Sequence, residues 1–229
     1  MSEESINMRQ HLIDTLWRGQ DPFVGFPRRL YADTPNELAH GPHPYLLEAI
    51  DNARPMVAVE IGVWKGASSI AMAKRMKEIG LSGSVMLSID TWLGAWDHWF
   101  NDEWYPGLAF EHGQPMLMRT FMANVLATNT EEVILPIPLD SVNANEVFRR
   151  ANLEVDVIHI DGGHDYRAVM SDLEAWWPLV RPGGWVVGDD YVHDGNWPGV
   201  RQAFDEFYQK NGLFPFEHGG AKCRIQKPV

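Results

Sequence analysis

The stretch Val155–Tyr191, VDVIHIDGGHDYRAVMSDLEAWWPLVRPGGWVVGDDY, restricts the fold more than any other part of the chain. Two apolar runs, VDVIHI and GWVVG, each end in acid: Asp161 after the first, Asp189 and Asp190 after the second. Between them Val169, Leu173, Trp176 and Val180 step by four, three and four, the period of a helix that buries one face. Pro182-Gly183-Gly184 predicts a break and a turn after that helix. Strand, helix and strand in this order form a right-handed crossover between parallel strands. Ligands of such sheets sit outside the carboxyl ends of the strands, so the three aspartates share one rim. Hard divalent cations take oxygen ligands, which clustered carboxylates supply without thiolate or imidazole. The plainer alternative is that these are solvated loop acids.

At 229 residues with 45% hydrophobic content, the chain suits one large α/β domain with a substantial core. A net charge of −12 argues against nucleic acid, whose phosphates need a basic face, and against an anionic membrane surface. The opening MSEESINMRQ lacks the basic and apolar regions of a signal peptide. No apolar run approaches the roughly 20 residues of a transmembrane helix. The single cysteine, Cys223, excludes an internal disulfide and most thiolate metal sites. A cytoplasmic protein with a small-molecule partner is expected.

Residues 1–52 read as a helical appendage or lid. One amphipathic helix is expected from Ile6 to Trp17. A second is expected from Pro35 or Asn36 to about Asn52, interrupted at Gly41-Pro42 and Pro44. His40 and His43 flank the break, either as surface histidines or as substrate contacts if the segment folds over the rim. These helices are also candidates for a homo-oligomer contact.

The main domain, 53–229, opens with the buried strand MVAVEI, which runs into Glu60-Ile61-Gly62-Val63-Trp64-Lys65-Gly66-Ala67-Ser68-Ser69. Gly62 and Gly66 bracket a tight turn where backbone can approach a ligand. The turn is not GxGxxG, which disfavours a nicotinamide or flavin cofactor. Glu60 beside it suits a ligand carrying positive charge. A second strand, SVMLSID, ends at Asp90, placed to accept hydrogen bonds from ribose hydroxyls or simply to cap the next turn. Residues 92–121 then carry four of the ten tryptophans among Asp, Asn, Glu, Gly and Pro. That mixture fits a loop-rich pocket wall or lid at the rim, or else plain core. A third strand, EEVILPIP, leads to Asp140 and Ser141 at the next rim position, where a base could bind. Helices are expected at Phe121–Leu126, Ser141–Arg150 and Pro198–Lys210, and FPFEH with AKCRIQ as a hairpin around Gly219-Gly220. The expected fold is α/β: a Rossmann-like, doubly wound, mostly parallel seven-stranded sheet with helices on both faces and a C-terminal β-hairpin.

EIGVWKG, IDTW, IDGGH and PGGWVVGDDY, in this order, resemble class I S-adenosylmethionine-dependent methyltransferases. More narrowly they resemble the metal-dependent sugar O-methyltransferases of macrolide and aminocoumarin antibiotic biosynthesis. The resemblance covers roughly residues 55–210, and the spaced set Asp161…Asp189-Asp190 is its most specific part. It implies that S-adenosylmethionine is held by Glu60, Gly62, Trp64 and Ser68 around the glycine turn and by Asp90, Thr91 and Trp92 after strand two. Asp140, Ser141 and Asp161 would complete that set. It also implies Mg²⁺ or another divalent ion on Asp161, Asp189 and Asp190. Where some members carry a catalytic aspartate this chain has Gly163; others use a histidine three residues after the first ligand, which His164 matches. Mg²⁺ would then chelate a vicinal diol of the acceptor, lowering its pKa, while His164 removes the proton. Two rivals remain open: a metal-dependent hydrolase using a metal-bound water, and a non-catalytic S-adenosylmethionine-binding protein on the same fold.

Overall fold

The computed structural model describes residues 7–27, 42–193 and 195–229. His40 and the expected start of the second helix at Pro35 or Asn36 lie outside these residues. Seven strands form one sheet: β1 (Val57–Ile61), β2 (Val85–Ile89), β3 (Ile134–Ile137), β4 (Val155–Ile160), β5 (Val180–Gly188), β6 (Glu217–Gly219) and β7 (Lys222–Gln226). Their order is β3-β2-β1-β4-β5-β7-β6; the first five neighbours run parallel, β7 is antiparallel to β5, and β6 pairs back onto β7. β1 and β2 are buried at every position, as their β-branched and apolar runs require in a parallel sheet covered on both faces. The expected doubly wound sheet and closing hairpin are therefore present.

Eight α-helices are described: α1 (Met8–Leu16), α2 (Pro44–Ala53), α3 (Ala67–Glu78), α4 (Trp96–Phe100), α5 (Leu117–Ala127), α6 (Ser141–Arg150), α7 (Tyr166–Trp176) and α8 (Pro198–Lys210). Alternate residues of β1 separate two cores. Val57, Val59 and Ile61 pack with apolar residues of α1, α6, α7 and α8, whereas Ala58 packs with those of α2, α3 and α5. Both N-terminal helices thus bury side chains against the sheet, Leu12 and Ile13 on one face, Leu46 and Ile50 on the other. Among the described residues no helix is long and apolar enough to cross a membrane.

Two local details differ from expectation. Pro182-Gly183-Gly184 lies inside β5, and the chain leaves α7 earlier, through a 3₁₀ turn at Trp177–Leu179. The pairing of β4 with β5 slips between Val155 and Val157. A Cβ on Gly184 would meet the Asp156 carbonyl oxygen at 2.9 Å, so glycine permits that irregular close approach. The strand order reverses between β1 and β4, which opens a crevice at their carboxyl ends.

Candidate functional site

The crevice is organised by the turn after β1. Gly62, Trp64 and Gly66 all take positive φ, at 80°, 52° and 95°. A Cβ on Gly62 would overlap the Asp161 carbonyl and approach the Gly162 Cα to 2.7 Å, so only glycine lets the ends of β1 and β4 close together. Asp90 fixes the far side of the turn. Its Oδ2 accepts from the Val63 and Trp64 backbone N–H groups at 2.8 and 3.0 Å, and its Oδ1 from that of Trp92 at 2.7 Å. Asp90 is therefore a clip for the turn, and its carboxylate still borders the cavity. Carboxylate oxygens have about four acceptor sites, which leaves capacity for a ligand hydroxyl.

That cavity, about 410 Å³, falls within the size range of small-molecule sites. Gly62, Trp64, Asp90, Thr91, Asp140, Ser141, Asp161 and His164 all line it. Three residues expected to hold the cofactor do not line it. Glu60 is buried beneath the turn, where it accepts from Ser69 and lies 2.9 Å from His159 Nδ1. Trp92 is fully buried in the core and donates its indole N–H to the Trp64 carbonyl at 3.0 Å. Ser68 sits on the first turn of α3, outside the lining.

Asp140 caps α6, accepting from the Asn143 backbone N–H at 2.9 Å, and this bonding lowers its pKa. Ser141 donates to Asp172 on α7, a cavity-lining carboxyl that sequence reading missed. Burial pushes Asp172 up to about 6. Its signal was weak, since Asp172 looks like an ordinary polar residue within the amphipathic pattern of α7.

On the acidic rim the three aspartates have separate environments. Asp161 has its pKa raised well above the ordinary range, by burial first and then by the charge of Asp189. Asp189 is paired with the buried Lys222 ammonium. Burial opposes its charge, but the charge of Lys222 and the hydrogen bond from it outweigh this and hold it well below the usual carboxylate range. Asp190 faces His164, with Nε2 to Oδ2 at 3.2 Å. The groups that converge within 4.8 Å are thus Asp161, His164 and Asp190, rather than the three aspartates.

His164 is gripped from both sides. Asp97, buried on α4 within the tryptophan-rich insertion, lies 2.7 Å from Nδ1. Burial disfavours the imidazolium, but hydrogen bonds and charge from Asp190 and Asp97 prevail, and the pKa is pushed up to about 9. Asp165 caps α7, accepting from the backbone N–H groups of Arg167 and Ala168. Asp97 escaped sequence reading because the insertion has no period from which to infer that it reaches the rim.

Aromatic rings wall the His164 side. Trp197 lies 4.5 Å from the His164 ring centroid, Trp104 stacks on Trp197 at 6.3 Å, and His98 stacks on Trp64 at 4.4 Å. The insertion divides its tryptophans: Trp92 is core, whereas Trp96 and Trp99 are 64% and 43% exposed.

A family model described as Methyltransferase domain matches residues 59–191. The chain belongs to this methyltransferase-domain family. The match spans the glycine turn, Asp90, the Asp161 loop and Asp189-Asp190. An uncharacterised protein y4gI of Sinorhizobium fredii is 28% identical over 185 residues, covering 80% of this chain but 18% of that protein, so the chain spans under a fifth of that relative. An O-methyltransferase from Bacillus cereus, solved in complex with SAH, superposes with a TM-score of 0.56 at 16% identity, covering 96% of this chain and 97% of that one. TomG of Streptomyces achromogenes, solved with SAM, gives 0.56 at 15% identity over 99% of both chains. NovP gives 0.51 at 18% identity over 81% of this chain and 78% of its own. At these identities the likeness establishes the methyltransferase fold.

Proposed function

We propose that this member of the methyltransferase-domain family is an S-adenosylmethionine-dependent O-methyltransferase acting on a hydroxyl of a small, ring-bearing natural-product acceptor. One observation carries the reading: a single cavity is lined by the glycine turn, by Asp90 and by His164. Methyltransferases solved with SAH and SAM share the fold, which supports the choice of cofactor.

S-adenosylmethionine supplies an electrophilic methyl group. The acceptor oxygen attacks the methyl carbon in line, the carbon–sulfur bond breaks, and S-adenosylhomocysteine leaves. Asp90 accepts from the ribose hydroxyls, and Asp140, Ser141 and Asp172 border the adenine end. Asp161 faces the cationic end of the cofactor. The hydroxyl proton passes to Nε2 of neutral His164, whose Nδ1–H is donated to Asp97. The indole of Trp197 lies against the His164 ring and that of Trp104 against Trp197, flat apolar surfaces suited to the ring of a sugar or an aryl group.

The divalent ion expected at Asp161, Asp189 and Asp190 does not fit the residues present. Asp189 is engaged by Lys222, and Asp190 is paired with His164. No step here therefore uses a metal, and chelation gives no reason to restrict the acceptor to a vicinal diol. The test is kinetic. His164→Ala should lower kcat by about 10²–10⁴, the usual contribution of a general base, with S-adenosylhomocysteine affinity unchanged. Unaltered kcat would remove His164 from the reaction.

A further inference from the structure

Beneath the rim runs a buried polar row that crosses the sheet. Ser88 on β2, Glu60 on β1 and His159 on β4 occupy matched register positions. Ser69 of α3 bridges Glu60 and Ser88, lying 2.7 Å from the latter. His159 Nδ1 lies 2.9 Å from Glu60, and Lys222 Nζ lies 3.0 Å from His159 Nε2. Lys222, at the start of β7, then donates to Asp189. An ammonium only donates, so Nε2 must accept from it, and the His159 proton sits on Nδ1, directed at Glu60. Every side chain in this row is at least three-quarters buried.

A charged lysine at 6% exposure requires full compensation, and this row supplies it. Lys222 also acts on Asp161 by charge, opposing the rise of its pKa. Asp161 in turn stands within 4.8 Å of both Glu60 and His159. The ammonium is thus placed among the same carboxylates that a dication would have to neutralise, and it is covalently resident.

We propose that Lys222 is the built-in counter-cation of the acidic rim, and that it excludes a divalent metal from Asp161, Asp189 and Asp190. A dication entering there would lie beside a buried ammonium of like charge, in surroundings of low dielectric where repulsion is weakly screened. With Asp189 on Lys222 and Asp190 on His164, Asp161 is, among the described residues, the rim acid that neither of these groups pairs with. That matches a monocation such as S-adenosylmethionine, whose sulfonium and ammonium outweigh its one carboxylate by a single charge. The metal part of the inference stands apart from the proposed function, and the monocation part rests on it.

The experiment is a Mn²⁺ titration of the full chain, followed by calorimetry and by electron paramagnetic resonance of free Mn²⁺, on wild type and Lys222→Gln. Wild type should take up no stoichiometric Mn²⁺. Lys222→Gln should bind it at least about tenfold more tightly than wild type, a gain of about 1.4 kcal/mol, and Asp161→Asn added to that variant should abolish the gain. One Mn²⁺ per wild-type chain, lost in Asp161→Asn, would overturn the proposal even if Lys222→Gln failed to fold. Equal, absent binding by wild type and a folded Lys222→Gln would overturn the role given to Lys222. S-adenosylhomocysteine titrated into the same EDTA-treated wild type separates the two readings: lack of binding there defeats the proposed function and leaves the Mn²⁺ result standing.

Discussion

Raising pH should make this protein faster and less stable over one and the same window, through His164. Its pKa rises from 6.5 to about 9 because Asp97 and Asp190 favour the imidazolium against the cost of burial. The folded-state pKa lies above the unfolded one, so the stabilisation is complete below about 6.5 and is lost as pH rises through about 9. At about 1.36 kcal/mol per pKa unit the shift has a ceiling near 3 kcal/mol, and the ring's 15% exposure reduces this to about 2–3 kcal/mol. The base is the neutral form, only about 1% of His164 at pH 7 when the pKa is near 9. The apparent kcat/KM should therefore climb about tenfold per pH unit from 7 and level off near 9. The assays are urea unfolding and methyl-transfer rates at matched pH values on wild type and His164→Gln. Asp161 also has a raised pKa, so the difference between the two proteins, not the wild-type curve alone, isolates His164. Asp97→Asn should shift both midpoints to lower pH. A rate plateau already reached near pH 6.5, or parallel stability curves for wild type and His164→Gln, would rule out a titrating His164 as the base.

Other perturbations have equally direct outcomes. Gly62→Ala combines a strained positive φ with overlap against the backbone of Asp161. It should cost about 2–4 kcal/mol in denaturant unfolding and remove S-adenosylhomocysteine binding. Asp90→Ala removes the acceptor of three backbone N–H groups as well as a proposed ribose contact. It should weaken S-adenosylhomocysteine by about 1–3 kcal/mol in calorimetry.

Most of the sheet was legible because its strands are short, β-branched and buried on both faces, and because glycines and prolines punctuate them. The crossover from Val155 to Tyr191 showed both its helix period and its acidic ends, and those ends do reach the same rim. Glu60 was misplaced because parity along β1 decides its direction: it shares a face with Ala58 and points into the core under α3, not toward the crevice. Trp92 looked like a rim residue from the polar company that follows it, yet its large apolar surface drew it into the core beside Phe121. His159 and Lys222 carry no local signal at all, being 63 positions apart and joined only through strand register. The same holds for Asp97, which reaches His164 across 67 positions from an aperiodic insertion. Periodicity reports which side of an element is buried; it does not report which distant side chain completes a buried hydrogen bond.

On the proposed function, the cavity lined by the glycine turn, Asp90 and Asp161 receives S-adenosylmethionine. Calorimetric titration of the EDTA-treated full chain with S-adenosylhomocysteine tests it most directly. Binding should saturate at one molecule per chain, weakened by Asp90→Ala and lost in folded Gly62→Ala. Absence of heat and of any thermal stabilisation at saturating ligand would contradict it.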